Sequence, residues 1–282
     1  MNPQIALQLY SVRNELQRDY LATLEKVAEI GYKNLELLTT VTDDGLVFGP
    51  NISPVAHLRE LERLGLKAMG CHMMPKQGME WEKVIQSCAE TGATALVIPF
   101  WVFNNRQDVL GLCETLNRAG ELGQKHGVQV YYHNHFQEFQ SFDGEVVMDT
   151  LLTNTNPALV KFEFDTYWSI RGGQDPLAWL EKFGKRCDLI HQKDMPSGVT
   201  PVNLFEVLAQ KPNTPLMEVF MSISDNQFTE IGAGTLNISD IIAAGKAYGE
   251  VKYIVVEQDR TTKGELGSVA ISYQNLSRLL ET

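Results

Sequence analysis

Six histidines occur in the 282 residues, and two of them stand together at the end of one apolar run. The run VQVYYH ends in His133, His135 follows two residues later, and Glu138 comes three residues after that. Imidazole and carboxylate groups are common ligands of divalent cations and common acids and bases in catalysis. This stretch therefore predicts metal binding or proton transfer.

Three later apolar runs also contain side chains of the types that commonly bind cations. LVKFEFD ends in Asp165, CDLIHQKD contains His191, and KYIVVEQD contains Glu257. Alternate side chains of a strand share one face, so Phe162 and Phe164 lie opposite Asp165. The same alternation separates polar from apolar side chains in the other two runs. If the apolar faces pack under helices, the polar faces converge.

Two imidazoles and two carboxylates would then form one mixed site. Its members are His133, Asp165, His191 and Glu257. This donor set suits Mn²⁺, Co²⁺, Zn²⁺ or Fe²⁺ better than Ca²⁺, which prefers oxygen ligands. A single histidine at a strand end is more often hydrogen-bonded structure than a ligand, and Asp165 or Glu257 alone could cap a turn or form an ion pair. Their position at the ends of four consecutive predicted strands favours a shared site for one divalent metal ion.

Alternating strands and helices supply the scaffold that such a site needs. Predicted strands lie at 5–10, 34–38, 66–72, 95–101, 128–133, 159–165, 187–194 and 252–259. Predicted helices lie at 20–31, 53–64, 79–91, 106–126, 145–153, 175–184 and 266–281. This pattern predicts a single (β/α)₈ TIM barrel domain over residues 1–282, with ligands at the carboxyl ends of the strands. A doubly wound sheet of six or seven strands is the alternative.

The segment 195–236 departs from this regularity. It is rich in Pro, Asn, Ser and Gly and predicts a long loop after strand seven, with one short helix at 203–210. A loop of this length in a compact domain is usually functional, so we expect it to cover the site. The run GAGTLN near its end lacks a third glycine and is a poor dinucleotide fingerprint. Elsewhere, His57 lies in a helical pattern that predicts a surface position.

Composition excludes several classes of partner. The formal charge is 24 − 35 = −11 without any cluster of Lys or Arg, which argues against nucleic acid. No segment approaches the roughly 18 apolar residues of a membrane span. Four scattered cysteines form no metal or disulfide pattern, and the start MNPQIALQLYSVR lacks signal-peptide features. We expect a cytoplasmic protein, and the sequence leaves a homo-oligomer open.

The motifs in this order resemble the sugar phosphate isomerase/epimerase family of xylose isomerase-like barrels. They are YHNHFQEF, FDTYW with RGGQDP, IHQKD, GAGTLN and VVEQD, and the likeness runs from IALQLYSVR almost to the end of the chain. The resemblance implies carbohydrate metabolism, a sugar or cyclitol substrate, and one divalent metal, often Mn²⁺. It makes Asp165, His191 and Glu257 the second, third and fourth ligands. The first is usually a glutamate where His133 stands here, and Glu138 is the alternative.

The same resemblance implies an isomerase or epimerase that works through a metal-stabilised enediolate. Family members that epimerise ketoses use two metal-bound glutamates as an acid–base pair, and His133 puts that shuttle in doubt. The base is then His135, Glu138 or Glu257, and Lys193 would hold the developing oxyanion. Relatives with H-x-H include dehydratases of keto-inositols, so a lyase acting by β-elimination is the alternative. A non-catalytic sugar-binding barrel is a third.

Five further residues are predicted to contact substrate. Aromatic rings at strand ends would stack on the sugar, and two polar groups would bind its hydroxyls. These residues are Tyr10, Trp101 and Trp168, with Glu36 and His72. The absence of an Arg cluster after strands seven and eight favours an unphosphorylated substrate.

Overall fold

Eight parallel strands close into a barrel in the computed structural model, which describes residues 2–281. The barrel strands, numbered in chain order, are β1 (Gln4–Gln8), β2 (Asn34–Leu38), β3 (Lys67–His72), β4 (Ala95–Ile98), β5 (Gln129–His133), β6 (Val160–Asp165), β7 (Cys187–Gln192) and β8 (Tyr253–Val256). Each strand pairs with the next, and β8 pairs with β1. The predicted (β/α)₈ barrel is confirmed, and closure excludes the doubly wound sheet.

Helices surround the barrel. They are α1 (Arg13–Arg18), α2 (Tyr20–Ile30), α3 (Pro54–Arg63), α4 (Trp81–Glu90), α5 (Arg106–His126), α6 (Val147–Asn154), α7 (Thr166–Arg171), α8 (Pro176–Phe183), α9 (Leu204–Gln210), α10 (Leu216–Met221), α11 (Ile238–Tyr248) and α12 (Glu265–Glu281). Local signals fix their ends. Asp19 caps α2 by accepting the N–H of Ala22, and Gly127 ends α5 at a φ of 70°.

Short elements complete the chain between these helices and strands. Four 3₁₀ turns lie at Leu9–Val12, Gln137–Phe139, Gly184–Arg186 and Asp225–Gln227. Two hairpins pair Thr40–Thr42 with Gly45–Val47 and Ser141–Phe142 with Glu145–Val146. Among the helices of residues 2–281, none combines the length and the hydrophobicity needed to span a bilayer.

The core has two layers, as strand alternation predicts. Phe162, Phe164 and Ile254 belong to the outer layer between the strands and the helices. Leu189 and Val255 belong to the small inner layer that fills the barrel. The polar residues of the same strands therefore also face the barrel interior.

The predicted long connection after β7 is present and carries α9 and α10. Its two ends are held together at Asp194, whose backbone pairs with Thr229. The side chain of Asp194 accepts N–H groups of Gly232, Gly234 and Leu236 at 2.9, 3.1 and 3.0 Å. The glycine-rich run GAGTLN thus binds a carboxylate of its own chain. The sequence does not predict α10, since six residues are too few to establish a helical period.

The prediction that His57 lies on the surface is wrong. Its ring is fully buried, stacks on Phe48 with 4.6 Å between ring centroids, and places Nε2 2.8 Å from the Tyr20 hydroxyl. Burial lowers the pKa of His57 to about 4, so the imidazole is neutral at pH 7. A helical pattern of this kind does not reveal that a neighbouring hairpin covers one of its polar residues.

Candidate metal centre and substrate cavity

A cavity of about 1130 Å³ opens at the carboxyl ends of the barrel strands. His72, His133, His135 and Glu257 line its floor. This is the end of the barrel at which catalytic residues of the fold lie, because the loops that follow the strands meet there.

Four buried side chains meet at this floor, two that line it and two directly beneath it. His133 and Asp165 are the last residues of β5 and β6, His191 lies in β7, and Glu257 directly follows β8. One donor atom from each lies within 4.8 Å of the others. The structure therefore brings together the four residues whose convergence the alternation predicts. Their action as metal ligands stays a prediction.

Hydrogen bonds between side chains and the backbone fix the position of Asp165 and join β6 to β5. Asp165 caps α7, since its Oδ1 accepts the N–H of Trp168 at 2.8 Å. The side chain of Asn134 joins the ends of β5 and β6, because it accepts the N–H of Asp165 at 3.0 Å and donates to its carbonyl at 3.1 Å. Sequence analysis did not select Asn134, although it stands between the two histidines.

Lys193 lies beneath the cavity and does not line it. Its buried ammonium contacts the carboxylates of Asp165 and Glu257 and lies 3.7 Å from Asp259. Burial alone lowers the pKa of Lys193, but these three carboxylates outweigh it and hold the pKa well above its usual value. The lysine is therefore a buried positive charge that neutralises two of the candidate ligands.

A second layer of polar groups lies below the four candidate ligands. His191 joins the layers, because its Nδ1 is 3.0 Å from Glu257 while its Nε2 is 2.7 Å from Glu36 and 3.1 Å from Glu163. Gln8 completes the layer by donating to Glu36 at 2.5 Å. Glu36 is fully buried and does not line the cavity, where it was expected to contact substrate.

Glu163 also belongs to this second layer, although it was not among the predicted site residues. Strand alternation puts Glu163 on the same face as Asp165, so the sequence pattern could have placed it in the site. Burial, reinforced by the charge of Glu36, raises the pKa of Glu163 to about 8. Glu163 therefore carries a proton at neutral pH unless a cation lies beside it.

The chemistry of this cluster fits a divalent cation. Four buried carboxylates, those of Glu36, Glu163, Asp165 and Glu257, share this cluster with two basic groups. These are the Lys193 ammonium and the His191 imidazole. Burial alone lowers the pKa of His191, but the surrounding carboxylates outweigh it and hold the pKa well above its usual value. The Oε1 of Glu163 is buried without a hydrogen-bond partner. Its Oε2 lies 3.1 Å from the Nε2 of His191 and 3.4 Å from the Nδ1 of His133, without a well-formed hydrogen bond to either. An excess of buried negative charge with unused lone pairs is costly unless a cation or a proton neutralises it.

Glu138 lies outside the group of candidate ligands. Its carboxylate accepts the Tyr132 hydroxyl at 2.6 Å and the backbone N–H of His135 at 2.9 Å. Burial raises the pKa of Glu138 to about 7. In this position Glu138 orients the turn that presents His135 to the cavity.

His135 stands in an aromatic enclosure at the cavity floor. Its ring centroid lies 5.5 Å from that of Trp168, 5.3 Å from Phe220 and 5.7 Å from Phe100. Burial lowers the pKa of His135 to about 3, so its imidazole is neutral and keeps one nitrogen lone pair.

The five predicted substrate contacts divide into two groups. Tyr10, His72 and Trp168 line the cavity, whereas Trp101 and the already described Glu36 do not. The strand predicted at 95–101 ends at Ile98, so the chain turns before Trp101, which packs against the outer core. Phe100 takes the place at the cavity that was expected for Trp101.

Comparison with curated proteins gives inosose dehydratases among the relatives of this chain. The chain is 26% identical over 160 residues to an inosose dehydratase of Clostridium beijerinckii, a match that covers 57% of this chain and 50% of that protein. The chain thus spans about half the length of the curated relatives it matches. No family model matches it.

Solved structures resemble the chain over nearly its whole length. A sugar phosphate isomerase/epimerase from Parabacteroides distasonis has a TM-score of 0.78 at 24% identity, covering 99% of this chain and 96% of that one. The chain has the xylose isomerase-like barrel fold. A structure of the IolI protein with a bound zinc atom has a TM-score of 0.69 at 11% identity, covering 99% and 98%. The fold that the motif resemblance implied is confirmed.

Proposed function

We propose that this chain is a divalent-metal-dependent enzyme that removes a proton next to the carbonyl of a keto-sugar or keto-cyclitol. The observation that carries the proposal is the buried group His133, Asp165, His191 and Glu257 at the floor of a large cavity. The names of the curated relatives, which are inosose dehydratases, support the same substrate class.

In this proposal His133 is the first ligand, since its imidazole lies with the other three donors and Glu138 does not. A cation of the Mn²⁺, Co²⁺, Zn²⁺ or Fe²⁺ type suits this set of donors. When bound, such an ion supplies Lewis-acid polarisation of a carbonyl oxygen and its neighbouring hydroxyl oxygen.

The remaining chemistry belongs to side chains at the floor. His135 lines the cavity next to the candidate ligands, and this position makes it the best-placed acceptor for the substrate proton. Glu138 holds it there through the backbone. Lys193 contributes charge from below, because its ammonium neutralises Asp165 and Glu257 without lining the cavity.

Two outcomes are open to a substrate that has lost this proton. Reprotonation gives an isomerase or epimerase, and loss of a β-substituent gives a lyase. The curated relatives are named as dehydratases, which supports the lyase as much as the isomerase. His133 removes one carboxylate of the pair that a two-sided proton shuttle needs. Incubation of a keto-inositol in D₂O separates the two outcomes. Deuterium uptake without a change of formula marks the isomerase, and an unsaturated ketone marks the lyase.

Metal content of the purified protein tests the first step. We expect about one Mn, Co, Zn or Fe per chain in the wild type and in Glu138→Ala, and loss of that metal in His133→Ala. His126→Ala, which alters a histidine on α5 away from the cavity, is the matched control. If no metal binds even after reconstitution, the proposal fails, and a barrel that binds sugar without turnover replaces it.

A further inference from the structure

The cavity is larger than one sugar ring requires. Pockets for drug-sized ligands measure about 300–1,000 Å³, whereas this cavity measures about 1130 Å³. A single sugar or cyclitol held at the floor would leave most of the outer part unfilled. The character of the outer walls therefore indicates what else the substrate carries.

The two sides of the cavity differ in polarity. In the closed strand order β8 and β1 are neighbours and lie across the barrel from β4 and β5. The side above β8 and β1 is polar, and its cations already have partners in their own chain. Arg18 contacts Glu15 at 2.7 Å, and Arg13 donates to the carbonyls of Tyr10 and Asp259 at 2.8 and 2.7 Å.

An apolar wall runs from Phe100, just after β4, to α10, where the Met221 carbonyl accepts from Arg260 of the polar side at 3.5 Å. It consists of Met74, Phe100, Trp168, Met217, Phe220 and Met221. Phe220 connects α10 to the rest of this wall, because its ring centroid lies 6.0 Å from Phe100 and 5.1 Å from Trp168. The wall thus begins at the aromatic enclosure of His135 and continues outward to the rim.

The rim of the apolar wall consists of exposed methionines. Met74, Met217 and Met221 are 54%, 56% and 68% exposed, and they are among the most exposed large apolar side chains of residues 2–281. Exposed apolar groups gathered at the mouth of a cavity mark a binding surface. Methionine is flexible and polarizable, so it packs well against flat rings of varied shape.

We propose that the substrate is a keto-sugar or keto-cyclitol that carries an aromatic substituent, as in an aryl glycoside whose sugar ring bears a ketone. The sugar lies at the floor beside His135, and the aromatic group lies against the apolar wall. This inference rests on the proposed function, since it places the reacting ring at the candidate metal centre. It adds that recognition comes largely from the non-reacting group.

Binding of paired glycosides tests the inference. Isothermal titration of the metal-loaded protein would compare methyl with 4-nitrophenyl glycosides of glucose, galactose, mannose and xylose. We expect the 4-nitrophenyl member of at least one pair to bind about tenfold more tightly, with a more negative heat capacity change. Met217→Ser/Met221→Ser should remove this difference without changing methyl glycoside binding. Leu21→Ser/Val55→Ser, which alters exposed apolar residues on α2 and α3, should keep it.

Several results would overturn the inference. They are equal binding within every pair, an aromatic preference that survives the double methionine substitution, and binding of free 4-nitrophenol as tight as that of its glycosides. Sedimentation in which only the methionine variant is monomeric would instead assign the wall to contact between copies. Metal content and deuterium exchange on a keto-inositol, measured on the same samples, report separately on the proposed function.

Discussion

Lys193 shows how one buried charge balances the candidate metal centre. Its ammonium lies between Asp165 and Glu257, and all three side chains are buried. Removing one partner of a buried ion pair leaves an uncompensated charge, which typically costs about 3–5 kcal/mol. In metal-free protein we expect Lys193→Met to lower the free energy of unfolding by about this amount, measured by urea denaturation with EDTA present.

Added Mn²⁺ should recover part of the loss in Lys193→Met, because a cation would neutralise the same carboxylates. Lys161→Met is the control. It removes a partner of Asp188 at the other end of the barrel, where Lys252 remains 3.0 Å away. An equal loss for Lys193→Met with and without saturating metal would contradict the shared role of these carboxylates.

His57 predicts a pH dependence of stability that is independent of the metal centre. The folded protein keeps this imidazole neutral down to a pKa of about 4, whereas the unfolded chain takes up a proton near 6.5. Below pH 6.5 the unfolded state therefore binds more protons, and stability falls by up to about 1.4 kcal/mol per pH unit until pH 4. Urea unfolding from pH 7 to pH 4 should show a shallower fall for His57→Gln than for wild type.

His126→Gln is the matched control for His57→Gln, since His126 is half-buried at the end of α5, where its Nε2 lies 3.9 Å from Glu82 on α4. It should keep the wild-type pH dependence. Identical slopes for wild type and both variants would show that the neutral state of His57 does not contribute to acid sensitivity.

At the scale of elements, the Asp194 side chain is the main anchor of the segment after β7. It accepts four backbone N–H groups, those of Met195, Gly232, Gly234 and Leu236. A hydrogen bond to a charged group contributes about 1.5–3 kcal/mol, and Asp194→Ala leaves all four donors unpaired. Three of the four donors are only part-buried, so water can take the place of the carboxylate. We therefore expect Asp194→Ala to lose on the order of 3 kcal/mol of stability, less than the sum of the four bonds.

Hydrogen exchange measures which part of the chain loses stability in Asp194→Ala. Faster exchange should concentrate in 195–236, while the barrel strands keep their protection. Asp240→Ala, which removes an exposed carboxylate near the start of α11, is the control. It should change neither the exchange in 195–236 nor the protection of the barrel strands. Uniform acceleration along the chain would show that Asp194 supports the whole barrel instead of this one segment.

Element positions were predictable where periodicity is long and strong. The strand at 34–38 and the helix at 106–126 were placed within the observed bounds, and alternation assigned Phe162 and Phe164 to the outer core. Predictions were wrong where tertiary contacts decide. Ala95–Ile98 is shorter than its apolar run, since the chain leaves the sheet after Ile98.

At the scale of the whole molecule, metal binding should stabilise the fold. A ligand that binds only the folded state at about 100 times its Kd adds about 2.7 kcal/mol, which raises Tm by roughly 5 °C in a chain of this size. Calorimetry with Mn²⁺ against EDTA measures this shift. It should vanish in Asp165→Asn, and Ca²⁺ should give a smaller shift because two of the four donors are imidazoles. No shift with any of these ions would contradict a metal centre.

Barrel closure explains what sequence reasoning missed in the site. Convergence of Asp165, His191 and Glu257 follows from strand order alone, because they end successive strands. Glu36 meets His191 across 155 positions of sequence, and Gln8 meets Glu36 across 28. Such contacts depend on how far each strand slides along its neighbour before the sheet closes. A pattern within one strand holds no information about that register.

The contacts of Asp194 divide the molecule into the barrel and the segment 195–228, and selection can change these two parts at different rates. The chain leaves the barrel at Asp194 and returns to it at Thr229, so residues 195–228 begin and end at nearly one point. Changing the length of a loop with fixed ends alters stability only slowly. Descendants of this barrel can therefore exchange the segment, and with it Met217, Phe220 and Met221 of the apolar wall, while inheriting the floor unaltered. New specificities could then arise without rebuilding the catalytic end of the barrel.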